Sequence, residues 1–151
     1  MMRDRARGYR RYLEWFNIMI QLEDKMNIVA KRYDLNFNQY LLLKKVAEEH
    51  CNEPTQLAAA FGVSSPAMSR KLNSLAKSGK ITKQRNNDED DQRKVTIELT
   101  VKGEYHLGQL NRAYQELFTA ESDMMFEKFD VPLFDEVTKQ MAMIIDHLPK
   151  E

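Results

Sequence analysis

The stretch from Glu53 to Thr100 constrains the fold more than any other part of this 151-residue chain. It has the pattern of a short helix, a tight turn, a second helix and a charged β-hairpin. Pro54 suits the first turn of the first helix, because its missing N–H would have no intrahelical partner there. Gly62 suits the left-handed position just past the helix end, and Ser64 can cap the next helix with its hydroxyl. Two helices joined by a turn of about three or four residues predict a helix-turn-helix.

The second helix is apolar on one face and polar on the opposite face. The residues that recur near one face at helical spacing are apolar: Ala67, Met68, Leu72, Leu75 and Ala76. The other side carries groups that can donate to phosphates or base edges: Ser65, Ser69, Arg70, Asn73 and Lys77. Arg can pair bidentately with guanine and Asn with adenine. This side, together with Ser64, is the predicted DNA-reading face, and an ordinary solvated helix face is the competing interpretation.

A β-hairpin is predicted directly after this helix. Gly79 ends the helix, and Ile81 to Arg85 can form one strand. From Lys94 to Leu99 apolar and polar residues alternate, a period of two that is typical of a half-buried strand. The polar turn Asn86 to Gln92 connects the two strands. A hairpin in this position is a wing, and its candidate DNA contacts are Lys83, Arg85, Arg93 and Lys94.

These features together resemble the MarR (multiple antibiotic resistance regulator) family of winged-helix transcription factors. The residues that carry the resemblance are Leu57-Ala58, Gly62-Val63-Ser64, Ser69-Arg70, Leu75, Gly79, Asp91-Gln92-Arg93, Leu99-Thr100 and Lys102-Gly103. The resemblance implies a mainly α fold with a small β-hairpin wing, in which a winged helix-turn-helix core is joined to N- and C-terminal dimerisation helices. It also implies that Arg93 lies in or near the minor groove and that Asp91 orders the surroundings of Arg93 by a hydrogen bond or an ion pair.

The chain departs from the MarR pattern in two places. The wing tip is longer by about two residues and strongly acidic, from Asp88 to Asp91. Lys83 stands where the family often has an arginine, and an ammonium cannot fork onto a phosphate as a guanidinium does. Carboxylates repel phosphate, so we expect the acidic tip to point away from DNA or to be screened by Arg85, Arg93 and Lys94.

Helical patterns flank the central stretch on both sides. They are predicted at Gly8 to Tyr33, Phe37 to Glu49, Val101 to Phe126, and from Asp130 to His147, with Asn36 or Asn38, Thr100 and Asp130 as caps. A minimal first strand of the wing sheet is a further possibility within His50 to Glu53. The terminal helices carry more apolar surface than a small core can cover, which predicts an obligate interface. We therefore expect an N-terminal dimerisation helix (1–36), a DNA-binding lobe (37–100) and C-terminal dimerisation helices (101–151).

Dimerisation through the terminal helices is also what the MarR resemblance implies. Two reading helices related by a two-fold axis enter major grooves about 34–36 Å apart and require a pseudo-palindromic operator. The expected function is a sequence-specific regulator of transcription that binds double-stranded DNA, with repression as the default.

Composition limits the class of protein. The net charge is zero, but residues 64–100 carry 8 basic and 5 acidic side chains, whereas residues 101–151 carry 5 basic and 10 acidic ones. Positive charge on the reading elements allows local attraction to phosphates. No apolar run is long enough for a membrane span, and no signal peptide is expected. A single cysteine fits a reducing cytoplasm.

Several further functions are weighed against this one. MarR-like regulators often bind phenolic or amphipathic small molecules, and the candidate contacts here are Trp15, Met19, Tyr40 and Tyr105, although core packing is their ordinary role. Cys51 is a candidate redox sensor, but its acidic neighbours in the sequence make a purely structural role the better interpretation. The His and Cys residues lack the spacing of a metal site, and no cofactor is expected. No catalytic motif predicts an enzyme. A winged helix that serves only for protein docking stays open.

Overall fold

The computed structural model describes residues 2–85, 94–120 and 130–149, with side chains from residue 6 onward and, in the fifth helix, up to residue 117. Within these ranges the chain forms six α-helices and one two-stranded hairpin. The elements are α1 (Met2–Ala30), α2 (Phe37–Glu48), α3 (Pro54–Ala60), α4 (Ser65–Lys77), β1 (Ile81–Arg85), β2 (Val95–Leu99), α5 (Val101–Ala120) and α6 (Val131–His147). A 3-10 turn, Lys31–Tyr33, follows α1. This architecture confirms the predicted mainly α fold with a β-hairpin wing.

Local capping groups start the helices where the sequence predicts. Asn36, rather than Asn38, caps α2 through a reciprocal capping box with Gln39. Ser64 accepts from the backbone N–H of Ala67 at the start of α4, and Asp130 caps α6 in the same way. These bonds satisfy amide groups that have no partner within their own helix.

Four positions in the connections have left-handed backbone, and His50 (φ 52°), between α2 and α3, is one of them. Gly62 (φ 60°) closes α3 and Gly79 (φ 72°) follows α4, as the sequence predicts. Asp34 (φ 54°) ends the 3-10 turn, and aspartate is among the few side chains that tolerate this region. The resulting reversals set α3 against α4 and begin the wing immediately after α4.

The hairpin is antiparallel, with Ile81 opposite Leu99 and Arg85 opposite Val95. The expected extra strand before Pro54 does not form in the described residues. Its place is taken by one backbone hydrogen bond, in which the N–H of Ile97 donates to the carbonyl of Asn52 at 2.7 Å. In the described residues this is the one backbone hydrogen bond between residues 50–53 and the hairpin.

The helix ends differ from prediction at a few points. α1 begins at Met2 rather than Gly8, since a glycine with open space around it is tolerated inside a helix. α2 ends at Glu48, one residue early. The predicted end of the fifth helix at Phe126 and the wing tip with Asp88 to Asp91 and Arg93 lie outside the described residues.

One apolar core joins α1, α2, α3, α4, the hairpin and the first part of α5. Its buried members are Ala30, Leu35, Tyr40, Leu42, Leu43, Val46, Leu57, Ala58, Met68, Leu72, Leu75, Ile81, Ile97, Leu107, Leu110 and Tyr114. The chain separates into two compact units, residues 1–114 and 115–151, and this core belongs to the first. None of the helices in the described ranges has both the length and the apolar character needed to cross a bilayer.

Gly103 lies where two backbone segments approach each other closely. A Cβ at this position would lie 2.0 Å from the carbonyl oxygen of Lys80. The hydroxyl of Thr100 accepts from the N–H of Gly103 and donates to the carbonyl of Gly79 at 2.6 Å. The first turn of α5 therefore packs directly on the connection between α4 and β1, and only glycine fits there.

Candidate nucleic-acid interface

α4 divides into a buried face and an exposed face. Met68, Leu72 and Leu75 are at most 1% exposed, and they hold the helix against the core. The residues predicted to read DNA are all exposed: Ser64, Ser65, Ser69, Arg70, Asn73 and Lys77. The helix thus offers a continuous polar and basic face to a partner.

The wing places further cations near this face. Lys83 and Arg85 are exposed on β1, and Lys94 is exposed just before β2. Arg93, the residue expected in the minor groove, lies outside the described residues, as does Asp91. The described wing therefore supplies three of the four predicted basic contacts.

A hydrogen bond ties the wing to the reading helix. The Lys83 ammonium donates to Oδ1 of Asn73 at 2.5 Å, and both side chains are exposed. The sequence predicts both residues as DNA contacts but does not predict their hydrogen bond, because they lie on different elements. This contact directs the amide oxygen of Asn73 towards the wing.

Lys71 is a basic residue of α4 that the sequence-based selection missed. Its ammonium donates to Oδ1 of Asn38 at 2.9 Å. Together with Arg70 and Asn36 it lines a cavity of about 280 Å³ between α4 and the start of α2. Its position next to Arg70 in the sequence was the available signal, but it faces α2 rather than the solvent side.

A nearly buried lysine lies where the wing begins. The Lys80 side chain is 2% exposed, and its ammonium donates to Oδ2 of Asp34 at 2.8 Å. This hydrogen bond and the positive charge of Lys80 hold the pKa of Asp34 below its usual value. The Lys80 backbone donates to Leu75 and accepts from Thr100. Lys80 therefore connects the end of α1, the end of α4 and the start of α5.

The four candidate ligand contacts occupy different surroundings. Tyr40 lies in the core, where its hydroxyl donates to Asn111 at 2.8 Å and burial raises its pKa. Trp15 and Met19 are half-buried on α1. Tyr105 is 63% exposed on α5. Their role in ligand binding stays a prediction, and Tyr40 already has a structural role.

Burial also acts on Tyr114, which packs edge-on against Tyr40 with ring centroids 4.9 Å apart. Desolvation raises the pKa of Tyr114 to about 12. Its hydroxyl donates to the backbone carbonyl of Met26 at 2.8 Å. This aromatic pair joins α2 and α5, and the Tyr114 hydroxyl links α5 to α1.

The candidate sensor residues show no built site. Cys51 is a free, half-buried thiol that packs against the core. In the part of the chain that the structure describes, no three His, Cys, Asp or Glu residues are grouped as metal ligands. Nδ1 of His106 is buried and has no hydrogen-bond partner among the residues that the structure describes.

Comparisons with known proteins agree with this geometry. The chain is 29% identical over 139 residues to the HTH-type transcriptional repressor YetL of Bacillus subtilis, covering 83% of this chain and 82% of YetL. The structure of reduced AbfR bound to DNA matches with a TM-score of 0.77 and 20% identity, over 96% of this chain and 99% of AbfR. The MepR–DNA complex of S. aureus matches with a TM-score of 0.73 and 18% identity, over 88% and 96%.

The matching family model is that of the transcriptional regulators SarA/Rot, and it covers residues 24–110, from the second half of α1 into α5. Proteins of this kind are regulators and not enzymes. The predicted MarR-type winged helix is confirmed by these matches. The chain therefore belongs to the SarA/Rot family of transcriptional regulators.

Proposed function

We propose that this regulator is a cytoplasmic protein that binds double-stranded DNA in a sequence-specific manner, as a homodimer on a pseudo-palindromic operator. α4 enters the major groove and the wing contacts the minor groove or the backbone. The observation that carries the proposal is the division of α4 into a face buried by Met68, Leu72 and Leu75 and a face of exposed donors. The AbfR and MepR structures, both complexes with DNA, support it by their shared fold.

The dimensions of α4 suit major-groove reading. A helix of 13 residues is roughly 20 Å long, and the groove of B-DNA, about 12 Å wide, admits one helix. Arg70 and Asn73 lie one turn apart on the exposed side, so both can reach base edges. Ser64, Ser65, Ser69 and Lys77 extend the same side for phosphate or base contacts.

An apolar stripe on α1 supports the homodimer. Tyr9, Leu13, Phe16 and Ile20 recur at steps of four, three and four, and each is between 48% and 66% exposed. This spacing is typical of the seam along which two helices pack. Four exposed apolar side chains on one stripe are best explained by a partner helix that covers them.

α6 supports the same proposal independently. It contains no buried residue, although Val131, Leu133, Met143 and Ile145 are large apolar side chains. A helix this apolar needs a burying partner to be stable. We assign α1 and α6 to the dimer interface, in line with the predicted division into 1–36, 37–100 and 101–151.

Repression is the proposed direction of regulation. The relative YetL is named a transcriptional repressor, and a dimer seated on an operator can block polymerase without further contacts. A small phenolic or amphipathic effector that changes the distance between the two reading helices would release the DNA. Trp15, Met19 and Tyr105 are candidate contacts for it, whereas Cys51 oxidation is the alternative signal.

An electrophoretic shift with duplexes of random sequence at two salt concentrations tests the proposal. Binding that weakens steeply with salt is expected, because basic side chains displace counterions from phosphates. Sedimentation of the protein alone should show a dimer at micromolar concentration. Absence of duplex binding at low salt would favour a protein-docking module instead.

A further inference from the structure

The contact between Lys83 and Asn73 restricts which atoms Asn73 can offer to a base. Lys83 lies on β1 and Asn73 on the exposed face of α4, and their side chains meet at 2.5 Å. A lysine ammonium has three donors and no acceptor. The atom of Asn73 that faces Lys83 must therefore be the amide oxygen, and the NH₂ group points away from the contact.

The ammonium beside the amide oxygen disfavours the usual way in which asparagine reads adenine. Bidentate recognition of adenine needs the amide oxygen to accept from N6 while the amide nitrogen donates to N7. One of the two lone pairs of the Asn73 oxygen already accepts from Lys83, and the ammonium beside this oxygen repels the N6 donors of adenine. The Lys83 ammonium keeps two more protons, so donors outnumber acceptors on the surface that the pair forms.

Guanine is the base whose major-groove edge matches a donor surface, because N7 and O6 are adjacent acceptors. Adenine would place its N6 donor beside the donors of the Lys83 ammonium, which is unfavourable in a desolvated interface. Building on the DNA binding proposed above, we infer that Lys83 is a positioning residue that makes Asn73 select guanine over adenine. The positive charge of Lys83 remains available to a phosphate at the same time.

Selection of bound duplexes from a random pool, followed by sequencing, tests this inference on the full chain. The variant Asn73→Ala identifies the base position that depends on Asn73. Lys83→Met keeps the length of the side chain but removes the donor, which frees the amide to rotate. Lys83→Arg restores a donor, and Lys77→Met is the matched control that removes one positive charge from α4.

The unmodified chain should prefer guanine over adenine at the position identified by Asn73→Ala, by at least about five-fold. Lys83→Met should shift this position towards adenine, and Lys83→Arg should retain guanine. Lys77→Met should weaken binding without changing the base preference. All the substituted residues are exposed, so the variants should fold, which thermal unfolding by circular dichroism checks.

Two results would overturn the inference while leaving the proposed function intact. One is adenine at the Asn73 position in the unmodified chain. The other is a motif that neither Asn73→Ala nor Lys83→Met alters. Failure to enrich any duplex would instead contradict DNA binding itself.

Discussion

Lys80 donates from a nearly buried ammonium to the carboxylate of Asp34 at 2.8 Å, whereas the Asp34 side chain is 72% exposed. The pair links the turn after α1 to the start of the wing, 46 residues further along the chain. Removing Asp34 leaves the Lys80 ammonium buried without its acceptor. This costs more free energy than replacing Lys80 itself by an uncharged side chain.

We therefore expect Asp34→Ala to lower the free energy of unfolding by about 1–3 kcal/mol. Part of this loss comes from the left-handed backbone at position 34, which alanine tolerates less well than aspartate. Lys80→Met keeps the buried volume without a charge and should change stability by less than about 1.5 kcal/mol. Urea unfolding of both variants and of the double variant measures this difference. A larger loss in Lys80→Met than in Asp34→Ala would contradict the account of the pair.

The same pair predicts an acid dependence of stability. The pKa of Asp34 is lowered first by the Lys80 hydrogen bond, then by the charge of Lys80, with Lys102 and His106 adding to the effect. A carboxyl group with a lowered folded pKa contributes stability that is complete above its unfolded value, about 3.8, and lost as pH falls through the folded pKa.

Asp34→Asn should accordingly be less stable than the unmodified chain at neutral pH, and the difference should shrink below about pH 4. Asparagine keeps the tolerance for left-handed backbone that position 34 requires. Urea midpoints measured at several pH values test this expectation. A difference that grows as pH falls would contradict it.

Gly103 and Gly108 form a matched pair within α5. Gly103→Ala would place a Cβ 2.0 Å from the Lys80 carbonyl oxygen, whereas Gly108 has nothing within 4 Å. We expect Gly103→Ala to destabilise by about 1–3 kcal/mol and Gly108→Ala to stabilise by about 0.5–1 kcal/mol. Equal shifts in the thermal midpoint of the two variants would show that the close approach does not constrain position 103.

The stripe on α1 predicts a dimer that one charge can dissociate. Phe16→Glu should raise the dimer dissociation constant by about ten-fold or more, because it buries a carboxylate in an apolar seam. Ile18 is 59% exposed on another side of the same helix, so Ile18→Glu is the control. Sedimentation equilibrium gives both constants. Dissociation in Ile18→Glu but not in Phe16→Glu would place the interface elsewhere.

Arg70 tests the reading face. Arg70→Ala should cost about 1–3 kcal/mol of operator affinity and relax one base position if the guanidinium reads a base. Because Arg70 is exposed, the stability of the fold should stay unchanged. Fluorescence anisotropy with a selected duplex at several salt concentrations measures the loss. A uniform loss on all sequences with a shallower salt slope would instead make Arg70 a phosphate contact.

The sequence predicts those parts of the fold that depend on neighbours along the chain. Ser64, Asn36 and Asp130 cap helices through bonds to residues three positions away, and such bonds follow from local residue types. The two faces of α4 follow from the helical period. For this reason the sequence alone predicts the position of the reading helix and the exposure of Arg70 and Asn73.

Long-range contacts account for what the sequence could not predict. Nothing local indicates that Lys80 is buried, since its partner Asp34 is far away in the chain. In the sequence, Gly103 indicates only a helix of low intrinsic stability. The fold shows that the absence of a side chain at Gly103 makes room for the Lys80 backbone. The pairing of Asn73 with Lys83 likewise depends on how the wing folds back beside α4.

The proposed function depends on two copies of α4 that enter grooves of one duplex at a fixed separation. Its most direct test is the affinity for a selected operator after insertion of about five base pairs, half a helical turn, between the half-sites. The affinity should fall to that of a single half-site, because the two reading helices can no longer face the same side of the duplex. An affinity that insertion leaves unchanged would contradict it.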